Sequence, residues 1–356
     1  MKIKKLQIDP NSKASSADGI FGLPFKEVDC KVIYIPVPFD VTTSYKPGTS
    51  HGPQSIKEAS DQIDFFDLDF VDAYQAGLYI REPDSHIKKL NIIGRPLAEK
   101  IIEADETELL KNKKLKETLL KVNSISNELN TWVYKQTKAL LKQKKIPVIV
   151  GGDHSTPFGA IKAYAEHFKE FGILHFDAHS DTRKSYMGFE NSHASIMHNV
   201  LEKIPQVKKL VQVGIRDFCQ QEYDYITNHK KVDVFFDQDL KNKKISGIKF
   251  EKIAKEIVKK LPENIYISFD IDGLDPRYCP NTGTPVPGGL EYYEVTAILN
   301  EIVNANKKLV GFDLVEVSPN LKNKDDQWDS NVGMRILYKM TSVCLASLKL
   351  IKRRTR

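Results

Sequence analysis

The chain has 356 residues, 41% of them hydrophobic and 28% charged, a composition that excludes a disordered or collagen-like polymer and allows a sizeable buried core. Lysine and arginine number 53 against 47 acidic residues, a formal net charge of +6. The excess is spread over helical stretches such as 111–121 and the tail 352–356 without aromatic interleaving, which argues against a nucleic-acid or membrane surface.

Residues 1–30 read as an N-terminal extension and 31–356 as a single domain. The start MKIKKLQIDP is basic but lacks the apolar stretch of a signal peptide, and no apolar run approaches a membrane span. Short apolar, β-branched runs predict strands over 32–37, 147–150, 172–176, 210–214, 232–236, 264–269 and 309–315. Amphipathic helical spacing lies between them over 109–143 and 251–260. The alternation predicts βαβ units and an α/β fold with a mainly parallel sheet, whose ligands sit beyond the carboxyl ends of the strands. Cys30, Cys219, Cys279 and Cys344 form no CxxC pair, which fits reduced thiols in a cytoplasm.

Three of the predicted strands end in acid and histidine clusters. GGDHS, Gly151 to Ser155, follows the run ending at Val150; its glycines are expected to turn the chain sharply and deliver Asp153 and His154 at the strand tip. Alone, it is equally a glycine turn with an incidental histidine. HFDAHSD places Asp177, His179 and Asp181 at alternate positions, which in extended chain face one side and can present three ligands to one point. His175 shares that parity but lies inside the strand and reads as a packing histidine. SFDIDGLDP sets Asp270 and Asp272 at alternate positions before Asp275. Two carboxylates on one face of a buried strand tip repel unless a cation neutralises them or they share a proton.

Together these motifs supply four carboxylates, Asp177, Asp181, Asp270 and Asp272, and two imidazoles, His154 and His179, a charge and donor set matching two divalent cations, with Mn²⁺ favoured and Ni²⁺, Co²⁺, Fe²⁺ and Zn²⁺ as competitors. Two such ions, typically about 3.5–4 Å apart, can lower the pKa of a shared water from 15.7 toward roughly 7. That is a nucleophile suited to a poor electrophile.

GGDHS, HFDAHSD, SFDIDGLDPRYCPNTGTPVPGGL and GFDLVEVSP occur in an order and at intervals that resemble the ureohydrolases, the family of arginases, agmatinases, guanidinobutyrases, guanidine hydrolases and formimidoylglutamases. The resemblance runs from about Val32 to the C-terminus. It implies an arginase-like fold of three α/β/α layers, a trimer or hexamer, and hydrolysis of a small guanidino or amidino compound. It assigns His154, Asp177, Asp181 and Asp270 to one ion, and Asp177, His179, Asp270 and Asp272 to the other, with Asp177 and Asp270 bridging. Asp153 and Asp275 are expected behind these ligands. Glu316 matches the glutamate that holds the substrate's guanidinium, where a carboxylate accepting two parallel N–H bonds gives charge and geometry together. His193 in NSHAS matches a histidine proposed to move a proton, work that suits an imidazole near its ordinary pKa.

Substrate choice is expected to rest on the loop 182–192, including Arg183 and Asn191, and on the edge carrying His51. Arginases carry an asparagine where Arg183 stands, so arginine is disfavoured as substrate. If Arg183 faces the mouth it would also repel the ammonium tail of agmatine; if it faces solvent, that argument lapses. Agmatinases tend to carry an arginine where Ser50 stands, while Trp328 to Met340 resembles their branch. The expected activity is therefore agmatinase-like release of urea and an amine. The alternatives are a guanidine or guanidino-acid hydrolase, a formimidoylglutamase releasing formamide, a one-zinc amide deacetylase of related fold, and an inactive regulatory subunit.

Overall fold

The computed structural model describes residues 8–10 and 19–355. Among the described residues, eight strands form one sheet: β1 (Val32–Val37), β2 (Leu78–Ile80), β3 (Ile146–Gly151), β4 (Phe171–Phe176), β5 (Val207–Ile215), β6 (Val232–Phe236), β7 (Asn264–Asp270) and β8 (Lys308–Val315). Every pairing is parallel, in the order β2-β1-β3-β8-β7-β4-β5-β6. The seven predicted strands are present. The eighth, Leu78–Ile80, has only three residues, too few for a period to register.

Eleven α-helices cover the sheet among the described residues: α1 (Gly52–Ala59), α2 (Ser85–Ile102), α3 (Glu106–Lys111), α4 (Lys113–Lys142), α5 (Phe158–His167), α6 (Ile196–Lys203), α7 (Gln220–Asn228), α8 (Asp237–Ile245), α9 (Phe250–Lys259), α10 (Tyr292–Asn304) and α11 (Trp328–Ser347). One group packs as α2-α4-α5-α6 and the other as α1-α11-α10-α9, giving helices on both faces of the sheet. Strands β1, β3 and β4 are consequently buried at every position, as near-continuous apolar runs require.

The helix expected over 109–143 is divided. Asn112 adopts an extended backbone and its side chain accepts hydrogen bonds from Lys114 N and Leu115 N, so it caps a new helix instead of continuing the old one. Local pattern also does not single out α2, which carries Gly94 and Pro96 in its interior; a Cβ on Gly94 would lie 2.8 Å from Val41, so close helix packing outweighs the local penalty. Of the N-terminal extension, 1–7 and 11–18 lie outside the described residues, while Ile20 and Phe21 are fully buried and Phe21 packs edge-on against Tyr34 and Tyr338. No helix among the described residues is long and apolar enough to cross a membrane.

The four central strands, β3, β8, β7 and β4, are neighbours. Their carboxyl ends carry the four motifs.

Candidate metal centre

GGDHS leaves β3 at Gly151. The two glycines are needed for close approach, not for the positive φ that a sharp turn would demand: a Cβ on Gly152 would lie 2.0 Å from Phe39 O, and neither residue is in the left-handed region. His154 Nδ1 then lies 3.0 Å from Asp177 Oδ2, 3.0 Å from Asp181 Oδ2 and 3.2 Å from Asp270 Oδ2. On the other side of Asp177, His179 Nδ1 is 3.4 Å from Asp177 Oδ1 and 3.1 Å from Asp272 Oδ2. Asp177 thus stands between two donor groups. Asp270 is placed with the first group through Oδ2, while its Oδ1 accepts the Asp272 N–H at 2.9 Å.

The convergence does not come from strand alternation. β4 ends at Phe176, and Asp181 has φ 54; Asp272 sits in a 3-10 turn, Ile271–Gly273, beyond the end of β7. Side chains spaced by two residues meet here because the backbone turns, not because a pleat continues. His175 is also more than a packing residue. It is fully buried, but its Nε2 lies 2.8 Å from Asp177 Oδ2 and Gln212 Nε2 is 3.0 Å from its Nδ1.

Charge is dense at this point. Burial works to raise Asp177, but His175, His154 and His179 prevail and hold its carboxyl well below the usual range. Burial and the neighbouring Asp177 push Asp181 up to about 7, and burial with Asp272 and Asp177 raises Asp270 well above the ordinary value. Burial opposes charge on His154 and His179, yet the surrounding carboxylates raise both well above 6.5. The cluster therefore retains protons where a cation would otherwise balance it. His154 Nδ1 and Asp181 Oδ2 are buried without a hydrogen-bond partner, which is costly unless another species completes them. Mixed nitrogen and oxygen donors, orphaned atoms and a surplus of carboxylates fit divalent cations.

A cavity of about 150 Å³ opens over the cluster, with Glu316, His193, Arg183, Tyr186 and Asp217 in its wall. Glu316 follows β8 with φ 60. Its Oε1 accepts the His154 N–H at 2.9 Å, and a Cβ on Gly283 would stand 3.8 Å from Oε2, so that oxygen faces a glycine and not a side chain. Burial, then Asp153, raises Glu316 well above the ordinary range.

His193 lines the cavity but its expected ordinary pKa does not hold. Burial, reinforced by positive charge on His179 and His154, pushes it down to about 3, so the ring is neutral at physiological pH. Its placement runs through the buried Asp153: Thr42 N and Oγ1 donate to Asp153 Oδ2 at 3.1 and 2.8 Å, and Thr42 Oγ1 accepts the His193 N–H at 3.1 Å.

Three predicted residues stand elsewhere. Asn191 donates to Asn127 Oδ1 on α4 at 3.0 Å and is buried there, drawn away from the cavity by an amide partner. His51 is exposed and lines a separate surface cavity with Gln54 and Pro319. Asp275 accepts from Arg277 N at 3.0 Å and shapes that turn. Arg183 does line the mouth, but its Nε is 3.3 Å from Glu222 Oε2 and its guanidinium lies 4.8 Å over the Tyr186 ring. Its charge is offset, so the expected repulsion of a cationic tail loses its basis. Asp217, 68% exposed on its side chain and 3.9 Å from His179 Nε2, adds an acid that the sequence did not single out. Gln212 and Asp313 were missed as well, although a polar residue inside an apolar strand run was a visible signal.

A parallel α/β sheet whose central strand tips gather His154, His179 and four carboxylates under a small cavity defines an α/β protein with a centre suited to divalent metal. The chain belongs to the arginase family, whose model matches residues 30–342. It is 32% identical over 299 residues to an N(1)-aminopropylagmatine ureohydrolase of Thermus thermophilus, covering 83% of this chain and 85% of that protein. It is 31% identical over 291 residues to proclavaminate amidinohydrolase of Streptomyces clavuligerus, covering 81% and 80%. The agmatine ureohydrolase of Thermoplasma volcanium superposes with a TM-score of 0.66 at 25% identity, over 95% of this chain and 96% of that one.

Proposed function

We propose that this protein hydrolyses the guanidino group of a small, agmatine-like compound, releasing urea and an amine. The observation that carries the reading is Glu316, a buried carboxylate in the left-handed backbone region, placed in the wall of the same cavity as His154, Asp181 and Asp270. A planar guanidinium offers two parallel N–H donors to such an acceptor, which fixes its carbon as well as its charge.

Two divalent cations, Mn²⁺ foremost and Ni²⁺ next, would be held by His154, Asp177, His179, Asp181, Asp270 and Asp272, and when bound supply Lewis acidity and an acidified water. Glu316 orients the guanidino carbon, and the near-complete burial of Asp177, Asp270 and Asp272 limits bulk water there. Water adds to that carbon, the C–N bond to the tail breaks, and a proton given up by the attacking water passes to the departing nitrogen, which leaves as an amine. His193, a neutral ring on the cavity wall, would hydrogen-bond the reacting water rather than hold its proton. At the mouth, Asp217 faces a cationic tail, and the Arg183–Glu222 pair leaves no isolated positive charge to oppose it. A trimer or hexamer in a reducing cytoplasm, to which the four free cysteines are suited, completes the reading.

The test is urea release after stripping with chelator and reloading with Mn²⁺ or Ni²⁺. Agmatine, N1-aminopropylagmatine, guanidine, guanidinobutyrate, guanidinopropionate, arginine and formimidoylglutamate would be compared, with formamide scored for the last. We expect loss on stripping, recovery on reloading, and preference for a guanidino compound with a cationic tail. Formamide release alone, or activity indifferent to chelator and metal, would overturn the proposal.

A further inference from the structure

Strand β8 runs through the middle of the sheet, and an aspartate in its interior needs a reason. Asp313 is fully buried, with Phe312 and Leu314 on either side equally buried. A carboxylate there is costly unless it is hydrogen-bonded. Asp313 Oδ1 accepts from Ser268 Oγ at 3.0 Å and from Phe269 N at 3.2 Å. Ser268 Oγ in turn lies 2.9 Å from His154 Nε2.

The donor count fixes the direction of this chain. A serine hydroxyl has one proton, and here Asp313 takes it. The remaining contact, with His154, can then be a hydrogen bond only if Nε2 carries a proton and donates to the serine oxygen. The other ring nitrogen, Nδ1, is the one free to ligate, and it is directed at the point where Asp177, Asp181 and Asp270 converge. An imidazole can ligate only through an unprotonated nitrogen, and which one is free is decided by the partner of the other.

We propose that Asp313, acting through Ser268, is a positioning residue for His154: the relay holds the ring in the Nε2-protonated tautomer and in the orientation that makes Nδ1 a ligand. The proposal rests on the reading of the His/Asp cluster as a metal centre. It gives Asp313 and Ser268, neither of which lines the cavity, a role in cation affinity without contact to cation or substrate. Outer partners of metal-bound histidines are typically worth about 10–100-fold in affinity or activity.

Equilibrium dialysis of the stripped full-length protein against MnCl₂ tests this, with parent, Ser268→Ala, Ser268→Thr and Asp313→Asn compared. Ser268→Ala is expected to weaken Mn²⁺ binding about 10–100-fold. Ser268→Thr keeps a hydroxyl at the same place and should restore most of it. Asp313→Asn retains an acceptor for Ser268 but not the charge, and should fall between the two. Thermal melting of each stripped variant separates this from a general loss of structure: the expected order in affinity does not follow the order in melting temperature. If parent and Ser268→Ala bind Mn²⁺ equally, the inference is overturned. It is also overturned if Ser268→Thr is as weak as Ser268→Ala. If Ser268→Ala fails to fold, Asp313→Asn and Ser268→Thr decide, and parental affinity in Asp313→Asn rejects the relay. A parent that binds no Mn²⁺ at all instead rejects the metal-centre reading itself.

Discussion

Glu316 occupies a backbone conformation, φ 60, that a residue with a Cβ adopts at a cost of order 1–3 kcal/mol. Its amide N–H donates to Gly152 O at 2.8 Å, and its carbonyl accepts from Thr282 Oγ1 at 2.7 Å, so the surrounding chain determines the conformation. The side chain is thereby aimed into the cavity. Glu316→Gln should keep the oxygen that accepts the His154 N–H but lose the charge that binds a guanidinium. We expect kcat/KM for the preferred guanidino substrate to fall by about 10²–10³, as when one preorganised electrostatic contact is removed. The Mn²⁺ content should stay at the parental level. Steady-state kinetics alongside metal analysis checks this, and unchanged kcat/KM would remove Glu316 from the site.

Among elements, the loops that follow β1 and β3 and the 3-10 turn His193–Ser195 are tied together at Thr42. The residue is fully buried. Its hydroxyl proton goes to Asp153 and its oxygen accepts from His193 N, so one side chain joins three segments distant in sequence. Thr42→Val preserves shape and removes both contacts, leaving the buried Asp153 oxygen with one partner fewer. The expected loss is about 1–3 kcal/mol in chemical denaturation, with lowered kcat because His193 is no longer registered over the cavity. A variant matching the parent in both would show that the three segments are held by packing alone. Elements also account for the differences from the predicted helices. Asn112 interrupts a continuous amphipathic pattern because a short polar side chain bonds the free amides of the next turn, and local periodicity is blind to that choice.

For the whole molecule, the strand tips gather negative charge that the net positive chain does not neutralise locally. Asp181 at about 7, and Asp270, His154 and His179 above their ordinary values, mean that the cation-free site takes up protons as pH falls through about 7. A cation must displace those protons, so its affinity falls with falling pH. Because a ligand that binds only the folded state stabilises it, by about 2.7 kcal/mol at a hundredfold excess over Kd, the same competition is visible in melting. Mn²⁺ should raise the melting temperature more at pH 8 than at pH 6, and titration calorimetry should record proton release on binding. Equal shifts at both pH values would indicate that these groups do not ligate the ion.

The sequence by itself determined the layered α/β class, seven of the eight strands, and the residue types of the centre, because burial and period are written locally and acids beside histidines at strand ends have few other uses. It also marked Glu316, through its motif. The tertiary structure alone decided that β3, β8, β7 and β4 lie side by side, which brings His154 and Glu316 into contact across 162 positions of chain. It also decided that the alternating aspartates converge by turning out of the strands, that Arg183 is neutralised by Glu222, and that His175, Gln212, Ser268 and Asp313 stand behind the cluster. Strand order and hydrogen-bond partners depend on how helices pack across the whole sheet, and no short window of sequence contains that packing.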